Sequence, residues 1–298
     1  MRLSLAIALI CALASPAVAG DTGPRLVSEY ILDRAVPGFA GLSAIDLTAD
    51  GTGFVMLSDR NRIFHGTLTR QDGRITGVTI DRAHVIGTEP GFFRDEIPDS
   101  EGVALAPDGR TFLSFEGTNR VAAYDGIARA LPDLPGWRDL DLNGGLEALA
   151  IDAQGALYTL PERSGHASRP FPVWRFAGGR WQQAGAVPRL GGYLPVGADF
   201  GPDGRLWLLE RRLTVTGFSS RVRVFDVDQG RIGGGTTVLE TAPLTHGNLE
   251  GLAVWRDPTG AIRLTMVADD NFRDFQRSEI VEYVLPPDSP LAGGSQTH

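Results

Sequence analysis

"SEGVALAPDGRTFLSFEG", Ser100 to Gly117, decides the fold. Two short apolar runs flank Pro107-Asp108-Gly109, as two antiparallel strands flank a tight turn. The same phrase recurs along the chain: "LSAIDLTADGTGFVMLSDR" from Leu42, "LEALAIDAQGALYTLPER" from Leu146, "GADFGPDGRLWLLERR" from Gly197 and "LEGLAVWRDPTGAIRLTMVADD" from Leu249. The turn glycines Gly51, Gly109, Gly155, Gly204 and Gly260 are 58, 46, 49 and 56 residues apart. Strand–turn–strand units at periods of roughly 40 to 60 residues are the signature of propeller blades.

The segments between the units supply further strands. "RIFHGTLTR" and "RITGVTIDR" are joined by Gln71-Asp72-Gly73, a hairpin signal. "NRVAAYD" follows the second unit, "PVWRFAG" and "RWQQAGAV" the third, "SRVRVFDVD" and "TTVLET" the fourth. The last unit ends with "EIVEYVL" and has one strand too few, while "RLVSEYIL" at Arg25 to Leu32 has no unit of its own. The expectation is an all-β propeller of five four-stranded blades. The N-terminal strand pairs with the C-terminal blade and closes the ring, which removes free sheet edges. A sixth blade fits only if one of the long intervals hides a short one.

The N-terminus reads as a secretory signal: Arg2, an apolar run from Leu3 to Leu13, then Ala17-Val18-Ala19 before Gly20. Cleavage after Ala19 leaves residues 20–298 as one domain. Cys11 is the one cysteine, and the bulky Ile10 before it argues against lipid attachment. The mature chain therefore has no disulfide, and a periplasmic or secreted location without a membrane anchor is expected. Its 36 acidic residues outnumber 27 basic ones once Arg2 is removed, all of them arginine. The absence of lysine excludes Walker-type phosphate loops and Schiff-base chemistry. No basic patch with interleaved aromatics points to nucleic acid. A closed ring offers no free edge, so a monomer is expected.

The polar residues fall in register. Counting back from the turn glycine gives a leading position with Glu101, Glu147 and Glu250, held by Ser43 and Val196 in the other units. The trailing position after the second strand carries Asp59, Glu116, Glu162, Glu210 and Asp269-Asp270. A hairpin brings its two ends together, so these acids gather at one face near the axis. Polar strand ends are ordinary where loops meet water, but a ring of close carboxylates is self-repelling and suits a hard cation such as calcium. Asp46 and Asp199 share a third position inside apolar strands, where an unpartnered carboxylate is costly. Arg60, Arg120, Arg163 and the pair Arg211-Arg212 sit among the acids, either as ion pairs or as anion-binding groups. His246 precedes Glu250 by four residues and is a candidate proton donor, with a loop histidine as the plainer reading. No zinc-spaced histidine pair and no Gly-x-Ser-x-Gly elbow occurs.

"SEGVALAPDGRTFLSFEGTNRV", "GLEALAI", "GADFGPDGRLWLLERRLT", "GNLEGLAVWRD" and "VADDNFRDFQRSEIVEYVL" together resemble the phytase-like domain family, whose members are described as having esterase-like activity of phytase. The resemblance runs from about Arg25 to Leu285. It implies a secreted propeller that hydrolyses phosphoesters or carboxyl esters, distantly similar to propeller phytases whose acid ring holds calcium. Carried onto this chain, it implies a calcium site from Glu101, Glu116, Glu147, Glu210, Glu250, Asp269, Asp270 and Asn271. Arg211, Arg212 and Asn248 would position the substrate anion or water, and a small ester or phosphoester would be the substrate. A non-enzymatic ligand- or protein-binding propeller with structural calcium, and a calcium-dependent lactonase, remain as alternatives, because fold alone does not fix activity.

Overall fold

A computed structural model describes residues 22–32, 39–93, 99–133, 144–273 and 275–291. The expected signal segment, residues 1–19, lies outside the described residues. Among the described residues the chain forms five small sheets, and all its regular structure is strand. They are the blades of a five-bladed propeller.

Blade 1 runs from the axis outward as β2 (Leu42–Leu47), β3 (Gly53–Ser58), β4 (Arg62–Gln71) and β5 (Arg74–Val85). Blade 3 is β11 (Leu146–Ile151), β12 (Leu157–Pro161), β13 (Phe171–Ala177) and β14 (Arg180–Val187). Blade 4 is β15 (Leu194–Phe200), β16 (Leu206–Thr214), β17 (Gly217–Asp228) and β18 (Arg231–Glu240). Blade 5 is β19 (Asn248–Arg256), β20 (Ile262–Asp269) and β21 (Glu279–Leu285), with β1 (Arg25–Ile31) added antiparallel at its outer edge. The chain's first strand thus closes the ring, as the missing fourth strand of the last unit requires.

Blade 2 departs from the four-strand expectation. β7 (Ser100–Leu105), β8 (Thr111–Phe115), β9 (Arg120–Tyr124) and β10 (Ile127–Ala130) are joined by a fifth strand, β6 (Gly87–Thr88), parallel to β10. Both outer strands are too short to show alternation in the sequence.

The innermost strands are buried along nearly their whole length: every residue of β2 and β11 is buried. Blades cover both of their faces, so they read as continuous apolar runs. Successive residues serve different interfaces. Ala44 packs toward blade 2 with Val103 and Leu113, whereas Ile45 packs toward blade 5 with Ala253 and Val267. Five such cores fill the five interfaces between blades.

Each innermost strand carries a β-bulge at the same place, at Ser43, Glu101, Glu147, Val196 and Glu250. The next residue is small in every case: Ala44, Gly102, Ala148, Gly197 and Gly251. Inner strands of neighbouring blades meet there. A Cβ on Gly102 would stand 2.7 Å from Glu147 O, and one on Gly251 2.6 Å from Ile45 N. The bulge turns the leading side chain toward the axis while the small residue lets the strands close behind it. The cavity enclosed along the axis at this level is only about 10 Å³, room for at most one water.

Candidate metal and anion site

The leading and trailing positions converge at the loop face of the ring. Main-chain pairing defines the trailing position: Asp59 N donates to Gly41 O, Glu116 N to Asp99 O and Glu162 N to Gly145 O. In blade 5 the equivalent pair is Asn248 with Asp269, and in blade 4 it is Leu194 with Arg211. The trailing residue of blade 4 is therefore Arg211 rather than Glu210. Blade 4 offers Arg211 at the trailing position where the other four blades offer acids, and Val196 at the leading position, so it contributes a cation to a ring of carboxylates.

Arg211 is the hub of this half of the site. Its Nη1 lies 2.6 Å from Glu250 Oε1 and donates to Asn248 Oδ1 at 2.9 Å, and its Nη2 donates to Glu162 Oε1 at 3.0 Å. Asn248 Nδ2 in turn donates to Glu250 Oε1 at 2.8 Å and to Asp269 Oδ2 at 3.4 Å. These carboxylates hold Arg211's pKa above its ordinary value against the opposing effect of burial.

The other half is almost purely acidic. One carboxylate oxygen each of Asp99, Glu101 and Glu116 lie within 4.8 Å of one another. Burial, then the charges of Glu147, Asp99 and Glu250, holds the Glu101 carboxyl well above its usual range. Glu147 is pushed well up by burial and Glu162, with Arg211 opposing. Burial raises Glu250 to about 8 despite Arg211, and Asp269 to about 6. Asp59 rises to about 7 through burial and the charges of Asp269 and Asp99. Burial raises Asp99 and Glu116 too, although Glu116 Oε1 accepts from the amides of Gly144 and Gly145. Clustered carboxyls in a desolvated place resist ionisation unless a cation joins them.

Among the expected residues, the structure brings Glu101, Glu116, Glu147, Glu250, Asp269, Asn248 and Arg211 together at this face. It places four others differently. Glu210 is fully buried inside blade 4, where Oε2 takes Arg221 Nε at 2.8 Å and Oε1 takes Arg223 Nη2 at 2.5 Å. It points to the opposite side of β16 from Arg211, as strand alternation demands. Arg212, also across the strand from Arg211, lies over the Tyr193 ring at 4.6 Å. Asn271 turns its amide outward, donating to Gln276 Oε1 at 2.7 Å. Asp270 Oδ1 accepts from Phe272 N and from Gly41 N, both at 3.0 Å, and so ties the turn of blade 5 to blade 1. This turn needs holding: Asn271 and Phe272 are both left-handed, at φ 49° and 51°, a conformation disfavoured for a phenylalanine.

The sequence reading did not propose Asp99. The signal is present: Asp99-Ser100-Glu101 has the same spacing to its bulge as Asn248-Leu249-Glu250. Asp46 and Asp199 occupy the other end of the axis and are satisfied by main chain. Asp46 accepts from Leu47 N and, across the blade boundary, Leu105 N, both at 2.6 Å. Asp199 accepts from Phe200 N at 2.7 Å and Val254 N at 2.6 Å. They stitch blade 1 to blade 2 and blade 4 to blade 5. Near them a cavity of about 1380 Å³ opens on the turn face, lined among others by Phe54, Tyr158, Arg175, Phe200 and Trp255.

A family model described as "Phytase-like: Esterase-like activity of phytase" matches residues 37–272. No curated protein sequence matches the chain. Among solved structures, an α-L-arabinofuranosidase from Podospora anserina in complex with cellotriose is similar, with 12% identity and TM-score 0.52, over 89% of this chain and 98% of that one. The PQQ-bound aldose sugar dehydrogenase of Streptomyces coelicolor is 11% identical, with TM-score 0.47, over 88% and 99% of the two chains. At 12% identity the likeness to the arabinofuranosidase is one of fold. The family match spans most of the chain, and with the five-bladed ring and its acid-lined face already in place, the protein belongs to the phytase-like family.

Proposed function

We propose that the loop face is the active site of a calcium-dependent hydrolase acting on small phosphoesters or carboxyl esters. The observation that carries this reading is the approach of Asp99, Glu101 and Glu116 within 4.8 Å, in the same ring of acids in which Arg211 meets Glu250 and Glu162. The donor set fits calcium: it is all oxygen, as hard cations require, and all three carboxyls are held above their usual range. Asp99, Glu101 and Glu116 would hold the ion, with Glu147 and Glu250 next to them. Bound there, calcium would polarise a substrate oxygen and make water a better nucleophile.

The chain's own residues supply the rest. Arg211, whose Nη1 and Nη2 are bonded to Glu250, Asn248 and Glu162, keeps part of its side chain, 22%, accessible, and would meet a phosphate or carboxylate through the N–H groups those partners leave over. Asn248 fixes the guanidinium and the Glu250 carboxyl relative to each other. Glu250, whose Oε1 meets both Arg211 Nη1 and Asn248 Nδ2, ties the guanidinium to the acids that would hold the ion.

A ligand-binding propeller without chemistry is the second reading, favoured by the roomy aromatic cavity at the turn face. Thermal melts of wild type and Glu101→Gln with calcium and with chelator, alongside a panel of phosphomonoesters, aryl esters and lactones, separate the two. Hydrolysis requires calcium-dependent turnover lost in Glu101→Gln. A panel that is inert under every condition leaves the binding reading standing.

A further inference from the structure

A second cluster of ligating side chains lies at the outer part of blade 5. Glu29 comes from the ring-closing strand β1, Glu279 from the start of β21, and His246 from the segment leading into β19. One ligand atom from each falls within 4.8 Å of the others. Glu279 is fully buried; its Oε1 accepts from Gly247 N at 2.7 Å, while Oε2 has no hydrogen-bond partner. The His246 side chain is 2% exposed, and its Nδ1 likewise has no hydrogen-bond partner. Neither atom is hydrogen-bonded, and their nearest charged neighbours stand off, Glu29 Oε1 at 3.8 Å from His246 Nδ1 and Arg277 Nη1 at 3.9 Å from Glu279 Oε2, a loose buried arrangement that a joining group would satisfy.

We infer that Glu29, His246 and Glu279 form a second metal site, chemically distinct from the axial acids, that takes a borderline divalent transition ion such as Zn²⁺. Imidazole with two carboxylates is a ligand set for such an ion rather than for calcium, and a water would complete it. The imidazole is already oriented. Its Nε2 lies 2.7 Å from Tyr283 Oη, and donation there leaves the Nδ1 lone pair facing Glu29 Oε1 at 3.8 Å. A second partner on the remote nitrogen is the usual support for a metal-binding histidine. Arg277 is the competing cation. Its Nη1 stands 4.0 Å from Glu29 Oε1 and 3.9 Å from Glu279 Oε2, and its side chain is half-exposed. The ion would fasten β1 to the blade it completes, so its binding should report on ring closure.

The test uses the mature chain stripped of metal, with excess calcium present so that the axial carboxylates do not compete. Zn²⁺ is titrated calorimetrically, and Co²⁺ serves as an optical probe of nitrogen and oxygen ligation. The expected result is one ion per chain and a rise in Tm. Affinity should fall tenfold or more in Glu29→Gln and in His246→Gln, and about tenfold in Tyr283→Phe. Glu101→Gln should bind as wild type does. Glu29 is partly exposed at a sheet edge, so Glu29→Gln keeps the test decisive if the buried variant fails to fold. No stoichiometric binding, or a Co²⁺ spectrum and affinity unchanged in Glu29→Gln, overturns the inference.

Discussion

Arg211 Nη1 lies 2.6 Å from Glu250 Oε1, across the boundary between blades 4 and 5. Register makes Arg211 the counterpart of Glu116 and Glu162, so one blade of five turns the sign of an otherwise acidic position. This contact separates an acidic pocket suited to a cation from a basic fork suited to an anion. Replacing Arg211 by Gln removes the fork and keeps the cation ligands. We expect turnover of anionic esters to fall on the order of 10²-fold, with calcium affinity unchanged or higher. Steady-state kinetics alongside calcium titration check both halves.

Asp99 and Glu101 should behave in the opposite way. Asp99→Asn or Glu101→Gln should weaken calcium at least about tenfold, or about 1.4 kcal/mol. Because both carboxyls are held up by burial, the neutral isosteres should leave the calcium-free protein as stable as wild type or more so at pH 8. Such a gain in stability at the expense of function is common at active sites. Melting curves with and without calcium read the two effects separately.

The acids also set a pH dependence. Glu250 is raised to about 8 and Asp46 to about 7. A carboxyl whose folded pKa exceeds its unfolded value keeps its proton longer in the folded state. Its contribution to stability is complete below the unfolded pKa, near 4, and is lost as pH rises through the folded value. Calcium-free protein should therefore lose stability from about pH 5 to 8, by up to about 1.4 kcal/mol per pH unit for each proton retained. Calcium should flatten the loop-face share and leave that of Asp46 and Asp199, whose oxygens are taken by amides. Denaturant unfolding at several pH values measures the slope.

Glu210 offers a contrast. It answers two guanidiniums, Arg221 and Arg223, inside blade 4. Glu210→Gln should cost about 3–5 kcal/mol, because it leaves buried cations uncompensated. Calcium affinity in the folded fraction should be unchanged. Urea midpoints and calorimetry test the two statements.

The ring, its five hairpins and its N-terminal closure were legible because a turn glycine recurs and apolar runs alternate around it. The leading acids were legible for the same reason, since Glu101, Glu147 and Glu250 stand at fixed distances from those turns. Glu210 was misaligned by one residue because acids were matched with acids. Main-chain pairing, invisible in a single sequence, puts Arg211 in register instead. Strand alternation then sends Glu210 and Arg212 to the other side. Asn271 sits in a left-handed turn that no spacing argument reveals, with its Nδ2 donating to Gln276. Glu29, His246 and Glu279 were out of reach of any spacing argument, since only closure of the ring by β1 brings them together.

The most direct test of the central claim is the rate of hydrolysis of phosphomonoester and aryl ester substrates by the purified protein, measured in calcium and again after chelation. The account predicts turnover in calcium that disappears on chelation, returns when calcium is restored, and is lost in Glu101→Gln. Turnover that survives chelation, or that Glu101→Gln leaves intact, would contradict it.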